Sequence, residues 1–245
     1  MNVLSKPAAC LAAVLLSAQG ASAVVGGSES QGALSRSGIM LVTRTGMCSG
    51  IVVAPDAVLT AAHCVAGKGE YRIHFRDEAG EPVLLAPAAT VVHRGFNPNA
   101  VQDRRPSIDL ALVRLNAPLP ARFEPASLLA VSPAKGAAIA VGGYGITGRN
   151  DARSTGRFRI ATATAIEPYG PSRILLWGEG RNAGACEGDS GGPMAVADTV
   201  AAVTTWSSAA TGRGCGGLTQ GILIGVQRDW IDATLGSWNR AAQWR

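Results

Sequence analysis

The residues from Ala185 to Met194, ACEGDSGGPM, hold a single serine, Ser190, between Asp189 and two glycines. A hydroxyl is a weak nucleophile at neutral pH. It becomes effective only beside a general base and N–H groups that stabilise the negative charge formed by attack. Glycines let the backbone turn tightly and approach a substrate closely. The pattern therefore indicates nucleophilic catalysis by Ser190, provided that the rest of the chain supplies a base and a group that orients it.

Two other short segments supply these partners. His63 lies in TAAHC, after an apolar run and next to Cys64, whose disulfide would fix the backbone that carries the imidazole. Asp109 is the first residue of the apolar run DLALVRL. Burying a carboxylate there without a partner would be costly. An imidazole is a suitable partner for that carboxylate. The other two histidines are interpreted as surface or rim residues: His74 and His93.

Short apolar runs between clusters of Gly, Pro, Asn and Asp predict an all-β fold for this chain of 245 residues with 31 glycines. Their number and shortness favour barrels or a sandwich. One helical pattern follows them, VQRDWIDATLG, and a loop with three prolines at 115–129 connects two halves. The strand-like runs are 38–44, 49–54, 71–75, 89–93, 109–115, 137–143, 157–166, 193–197, 200–206 and 221–226.

Residues 1–23 have the pattern of a secretory signal peptide. Lys6 gives a short positive region, residues 8–18 are mostly apolar but too short to span a bilayer, and ASA provides small residues before a cleavage site. We expect cleavage between Ala23 and Val24. The mature chain, 24–245, would then be secreted into the extracellular or periplasmic space without a membrane anchor.

Four cysteines follow the signal segment, and an even number in an exported chain predicts two disulfides with three possible pairings. We favour the pairs closest in sequence, Cys48–Cys64 and Cys186–Cys215. A zinc site is the alternative, but the paired close spacing of zinc ligands is missing. We therefore expect no metal and no cofactor. The net charge of +5 comes from scattered basic residues, so we expect no nucleic-acid partner.

The segments TAAHC (60–64), DLALVRL (109–115) and GDSGGP (188–193) together resemble the trypsin/chymotrypsin-like serine proteases, and the resemblance extends from Val24 to the C-terminal helix. It implies an all-β fold of two six-stranded antiparallel β-barrels packed together with a C-terminal α-helix. It also implies a monomer that acts on protein or peptide substrates, and it agrees with the two local disulfides. The corresponding bounds are about 24–120 and 121–235 for the barrels and about 226–236 for the helix.

The resemblance gives each site residue a role. Ser190 attacks the scissile carbonyl, and His63 takes its proton and later passes it to the leaving amine. Asp109 holds the imidazole in the required tautomer. The backbone N–H groups of Gly188 and Ser190 form the oxyanion hole. Thr205 matches the position whose hydroxyl supports the triad aspartate.

The resemblance also places a substrate pocket with its floor at Gly184 and its walls at Ser207 and Gly221, beside Trp206. Cleavage after Arg or Lys needs a carboxylate on the floor, and Gly184 offers none. A neutral pocket favours apolar side chains. Acidic side chains remain an alternative because Arg213 is near, and small ones remain another because Ser207 narrows the wall.

The segment VVGG (24–27) resembles the mature N-terminus of the family, where a free ammonium pairs with the aspartate before the nucleophile. In this chain the activation pair would be Val24 and Asp189. Breaking a buried pair leaves one charge uncompensated, and here that would distort the oxyanion hole. Since ASA directly precedes VVGG, signal cleavage alone would create this terminus, without a separate propeptide.

These features predict a secreted serine endopeptidase that works through an acyl-enzyme. A binding or regulatory module that keeps the fold without turnover is the alternative. The unusual loop after Trp206 favours that alternative, whereas the complete set of three catalytic residue types argues against it. Hydrolysis of esters alone is chemically available to an activated serine, but nothing in the sequence indicates a lipid pocket.

Overall fold

The computed structural model describes residues 24–44, 46–67, 69–103, 105–148, 151–209 and 214–245. Its strands, numbered in chain order, are β1 (Ser28–Glu29), β2 (Gly38–Thr43), β3 (Met47–Ala54), β4 (Ala57–Thr60), β5 (Tyr71–Arg76), β6 (Pro82–Leu85), β7 (Pro87–Val92), β8 (Ala111–Leu115), β9 (Ser127–Leu128), β10 (Ala138–Gly143), β11 (Arg159–Ile166), β12 (Leu175–Glu179), β13 (Pro193–Val196), β14 (Thr199–Ser208), β15 (Leu218–Leu223) and β16 (Gln243–Trp244). The helices are α1 (Ala33–Arg36), α2 (Ala100–Asp103) and α3 (Arg228–Ser237).

Six strands of the larger sheet close into an antiparallel barrel in the order β10-β11-β12-β15-β14-β13, because β13 also pairs with β10. Strand β11, RIATATAI, has the pattern expected of a barrel strand. Buried and more exposed residues alternate along it, so one face packs in the barrel interior and the other does not. The barrel interior is filled by apolar side chains that include Ile139, Val141 and Met194. This barrel has the number of strands that was predicted.

The smaller sheet is a curved half-barrel of seven antiparallel strands in the order β6-β5-β2-β3-β4-β8-β7. Only Ala86 separates the two edge strands, β6 and β7, so the sheet curls until its edges meet along the chain. Pro87 has no N–H to donate, which favours a break in the ladder at this point. The predicted all-β fold with a C-terminal helix is confirmed, with one closed six-stranded barrel and, in place of the other, a half-barrel of seven strands.

Both ends of the described chain pair with the larger sheet. Strand β1 pairs with β11, although the sequence analysis grouped these residues with the first barrel. Strand β16 lies parallel to β9, which in turn pairs with β14. The C-terminal segment is also tied to the turn between β3 and β4, where Arg240 donates to the buried Asp56 carboxylate at 2.7 and 3.0 Å.

Helix α3 begins two residues later than predicted, because Gly225–Gln227 form a 3-10 turn. It buries Ile231, Thr234 and Leu235 and continues through Gly236 to Ser237. Across the described ranges, none of the helices combines the length and the apolar character that a bilayer span requires.

Candidate active site

His63 and Asp109 are in direct contact. The His63 Nδ1 atom lies 2.7 Å from Asp109 Oδ2, and the His63 backbone N–H donates to Asp109 Oδ1 at 2.8 Å. Because a carboxylate only accepts, Nδ1 must carry the ring proton, which leaves a lone pair on Nε2. The imidazole is exposed and the carboxylate is largely covered. The pair is therefore arranged as a base with its orienting group.

Two neighbouring strands bring these residues together. Strand β4 ends at Thr60, directly before the 3-10 turn that contains His63, and β8 begins just after Asp109. The strands are antiparallel with Thr60 opposite Ala111, so the end of one lies beside the start of the other. A Cys48–Cys64 disulfide anchors the turn to β3, as the sequence analysis expected.

The loop that carries Ser190 is packed against the same region. The Ser190 carbonyl accepts from the Ser49 N–H at 2.8 Å, and its oxygen lies 3.8 Å from Cys64 Sγ. A Cβ on Gly191, which has φ +86°, would collide with Thr60 Oγ1 and crowd the Ala61 nitrogen. The loop thus contacts residues on both sides of His63. Within the described ranges the Ser190 hydroxyl has no hydrogen-bond partner, so it is not bonded to His63 in this structure.

The two candidate oxyanion donors are backbone N–H groups without a hydrogen-bond acceptor among the described residues. Neither the Gly188 N–H nor the Ser190 N–H donates to another atom of the described residues. Gly188 has φ +95°, a left-handed conformation that suits glycine, and a Cβ there would crowd Gly145 and Met47. The loop therefore has two free backbone N–H groups, one of them on Ser190 itself.

Ser49 holds this loop in place, and the sequence analysis did not identify it. Its hydroxyl donates to the Gly188 carbonyl at 2.9 Å and accepts from the Tyr144 N–H at 3.0 Å. Its own N–H binds Ser190, and the residue is fully buried. These contacts span 139 and 95 residues. The only local signal was a polar residue in an apolar strand next to Cys48.

Asp189 is completely buried and accepts N–H bonds from Gly145 and Cys186, each at 2.8 Å. Burial raises the pKa of the Asp189 carboxyl from 3.8 to about 7, although the two backbone bonds act in the opposite direction. None of the described cations pairs with it. Val24, the expected partner, is also fully buried in the same barrel, but in the 245-residue chain its nitrogen is a peptide N–H.

The predicted pocket residues divide between the two faces of the β14–β15 ladder. Gly184 is buried, and a Cβ there would meet Thr219 Oγ1. Thr219 also faces Ser207 across the ladder. Gly221 lies two residues further along β15, where a Cβ would meet Met194 and Ala202 instead. Thr219, rather than Gly221, is therefore the β15 residue next to the predicted floor.

On the other face, a cavity of about 900 Å³ opens beside His63. Its lining includes Thr205, Trp206, Trp177 and Arg105. The Thr205 hydroxyl contacts Gln220 O at 3.4 Å rather than Asp109, so the support expected for the aspartate is missing from this structure. Trp206 is 46 % exposed and contacts Trp177 edge to face. Arg213, considered as a pocket residue, lies outside the described residues.

Among the residues that the structure describes, one group of metal-binding residue types is close together: Cys48, His63 and Cys64, whose ligand atoms lie within 4.8 Å of one another. The two sulfur atoms are bonded to each other and cannot act as thiolate ligands. A second disulfide joins Cys186 to Cys215, the other expected pair.

His93 differs from its interpretation as a surface residue: it is 7 % exposed, and its Nδ1 accepts from the Gly95 N–H.

Known proteins resemble this chain in sequence and in structure. The sequence matches the family described as Trypsin over residues 20–231. Kallikrein-8 of Homo sapiens is 27% identical over 205 residues, which cover 78% of each chain. Trypsin alpha-4 of Lucilia cuprina is 29% identical over 188 residues, covering 69% of this chain and 68% of the relative.

Two solved structures have the same fold. Neuropsin, a serine protease expressed in the limbic system of mouse brain, gives a TM-score of 0.70 at 23% identity and covers 86% of this chain and 99% of its own. Human heparin binding protein gives a TM-score of 0.70 at 20% identity, with 87% and 97% covered. Together with the family match over most of the sequence, these similarities establish that the chain belongs to the trypsin family of serine proteases.

Proposed function

We propose that this protein is an exported serine endopeptidase that cleaves peptide bonds through His63, Asp109 and Ser190. The observation that carries the proposal is the contact between His63 and Asp109, with Nε2 left free and the Ser190 loop packed against the residues on either side of His63 in the chain. Catalytic hydrogen bonds are often long in unliganded enzymes and shorten when substrate binds. The unbonded Ser190 hydroxyl is compatible with that behaviour.

In the proposed reaction, Nε2 of His63 removes the proton from Ser190 Oγ as it attacks the scissile carbonyl. Asp109 stabilises the imidazolium that forms, since it already accepts from Nδ1. The N–H groups of Gly188 and Ser190 bind the oxyanion, and one such donor typically contributes about 3 kcal/mol. His63 then donates its proton to the leaving amine, and water hydrolyses the acyl-enzyme by the same steps.

The substrate would lie beside His63, along the cavity that Thr205 and Trp206 line. The cavity beside His63, with its wall of Trp177 and Trp206, gives room for substrate side chains that precede the scissile bond. The resemblance implies a primary pocket with Gly184 as its floor, and a glycine supplies no carboxylate. We therefore expect an uncharged side chain there rather than Arg or Lys.

We further propose that export creates the active N-terminus. Residues 1–23 would be removed as a signal peptide, and the Val24 ammonium would pair with Asp189. This is supported by the burial of both residues in one barrel and by the Val25–Gly184 bridge, which holds the segment near Asp189. N-terminal sequencing of secreted protein should begin at Val24, and a start several residues earlier contradicts the idea.

A direct experiment combines labelling with turnover. Purified protein that begins at Val24 is treated with a fluorophosphonate, and the adduct is located by mass spectrometry. Labelling at Ser190 and cleavage of an internally quenched peptide library are expected, and both should disappear in Ser190→Ala. If the folded wild-type protein is not labelled, the chain is instead a binding module that keeps the fold.

A further inference from the structure

One buried titratable side chain near the site has no part in the proposed reaction. His93 directly follows β7 and is 7 % exposed. Its Nδ1 atom accepts a hydrogen bond from the Gly95 N–H at 3.0 Å. An accepting ring nitrogen carries no proton, so the imidazole is neutral and its proton is on Nε2. This contact therefore exists in only one protonation state of His93.

The turn that the contact closes holds the backbone on both sides of Asp109. The His93 N–H donates to Leu110 O at 2.9 Å, and the Ile108 N–H donates to Gly95 O at 3.0 Å. Ile108 and Leu110 are the two chain neighbours of Asp109. The backbone around Asp109 is thus bonded to His93 on one side and to Gly95 on the other, and the imidazole ties these two residues together.

Helix α3 packs against the ring from another direction. The rings of His93 and Trp230 meet edge to face with their centroids 4.8 Å apart. The charged side chains of this helix do not supply a partner for the imidazole. Arg228 and Asp232 pair with each other at 3.2 Å, and Asp229 is exposed. A proton on the ring would therefore be buried against apolar and backbone groups.

A proton on Nδ1 would break this arrangement. Two N–H groups would then face each other across 3.0 Å, so Gly95 would have to move away from the ring. Burial lowers the pKa of His93 below its ordinary value of 6.5, and the positive charge of Arg94 lowers it further. Because Gly95 is bonded to the residue before Asp109, its displacement reaches the carboxylate whose Oδ2 lies 2.7 Å from His63 Nδ1.

We propose that His93 is a positioning residue whose neutral imidazole keeps Asp109 directed at His63, and that a proton on His93 releases this hold in acid. This inference rests on the proposed function. The release adds to the direct effect of acid on His63, which cannot act as a base once it is protonated. Loss of activity in acid then depends on two histidines rather than on one.

The test uses two substitutions of His93 in the chain that begins at Val24. In His93→Asn the amide Oδ1 can accept the Gly95 N–H without titrating, as Asn97 Oδ1 accepts the Asn99 N–H at 2.9 Å. In His93→Leu the acceptor is lost. At neutral pH His93→Leu should lower kcat at least about tenfold with little change in KM, since a misplacement of about 1 Å can cost about a hundredfold. His93→Asn should keep the wild-type kcat.

The pH profile separates positioning from a purely structural role. The value of kcat/KM for a quenched peptide is measured from about pH 4.5 to 8 and expressed per active site titrated with a fluorophosphonate. At the acid end, wild-type kcat/KM should fall by about a further factor of ten per pH unit compared with His93→Asn, because one more proton is involved. His74→Asn, on strand β5, is the matched control and should keep the wild-type profile.

Urea unfolding of the same proteins, each carrying Ser190→Ala, measures the cost of the buried proton. The unfolded chain protonates His93 near pH 6.5 and the folded chain only at lower pH, so stability is lost as pH falls. The wild-type midpoint should therefore fall relative to that of His93→Asn between about pH 7 and 5.

Equal acid slopes in wild type and His93→Asn overturn the inference, as does a difference in urea midpoint that is constant with pH. An unchanged kcat in folded His93→Leu also overturns it. If His93→Leu does not fold, the comparison of wild type with His93→Asn decides. Absence of labelling at Ser190 in the folded wild-type protein instead refutes the proposed function.

Discussion

Leaving five residues attached in front of Val24 should make the stability of the folded chain depend on pH between about 4 and 7. In that form the Val24 nitrogen is a peptide N–H, and Asp189 is buried without a cation among the described residues. Burial raises the pKa of Asp189 from 3.8 to about 7. Each pKa unit corresponds to 1.36 kcal/mol, so the ionised carboxylate costs the folded state about 4 kcal/mol at most.

The direction follows from linkage. Below about pH 4 the carboxyl is protonated in both the folded and the unfolded chain, and the cost is absent. It grows as pH rises towards 7, because the unfolded chain ionises first, and it is complete above 7. When the chain begins at Val24, a nearby ammonium lowers the pKa of Asp189 and removes this dependence.

The assay compares chains 19–245 and 24–245 by urea unfolding at several pH values from about 4.5 to 7.5. Both carry Ser190→Ala so that self-cleavage cannot interconvert them. The advantage of the 24–245 form should widen by about 3 kcal/mol over this range, and Asp189→Asn in both forms should abolish the widening. A difference that is constant with pH refutes the reasoning about the Val24–Asp189 pair.

Two substitutions test the elements that hold the site. Ser49→Ala leaves two buried backbone groups without partners, one of them on Gly188, and should cost about 1–3 kcal/mol in urea unfolding. Ser49→Ala should also lower kcat more than it changes KM. An unchanged kcat contradicts a positioning role for Ser49. The control is Ser132→Ala, at an exposed position. Replacing Cys48 and Cys64 by alanine opens a loop of 16 residues and should cost about 3 kcal/mol, and a loss below about 1 kcal/mol contradicts the expected stabilisation.

Apolar runs in the sequence predicted the principal strands, because a strand that is buried in a barrel must carry apolar residues over several consecutive or alternating positions. Strand β4 was missed, since the Pro55–Asp56 turn separates it from β3 by only two residues and its four residues are all buried. Strand β6 was missed because it has only four residues, of which the first is Pro82, and Pro87 follows soon after it. Helix α3 was predicted from its apolar face and differs mainly at its start.

Site residues could be predicted from the sequence where the chemistry requires particular residue types in a short local pattern. His63 and Asp109 each lie beside a recognisable apolar strand, and the structure brings them together. Thr219 was missed because the resemblance pointed to Gly221, and the position of Thr219 beside Gly184 depends on how β15 packs against a distant segment. Ser49 was missed because its contacts to the nucleophile loop are made only after two distant segments pack together.

The rate at which a fluorophosphonate reacts with Ser190 tests the central claim most directly, because it depends on the activated nucleophile and not on substrate preference. The second-order rate constant should be measured for wild-type protein and for His63→Ala, both beginning at Val24. A general base typically contributes at least about a hundredfold, so His63→Ala should react at least that much more slowly. Equal rates in the two proteins contradict the assignment of His63 as the base for Ser190.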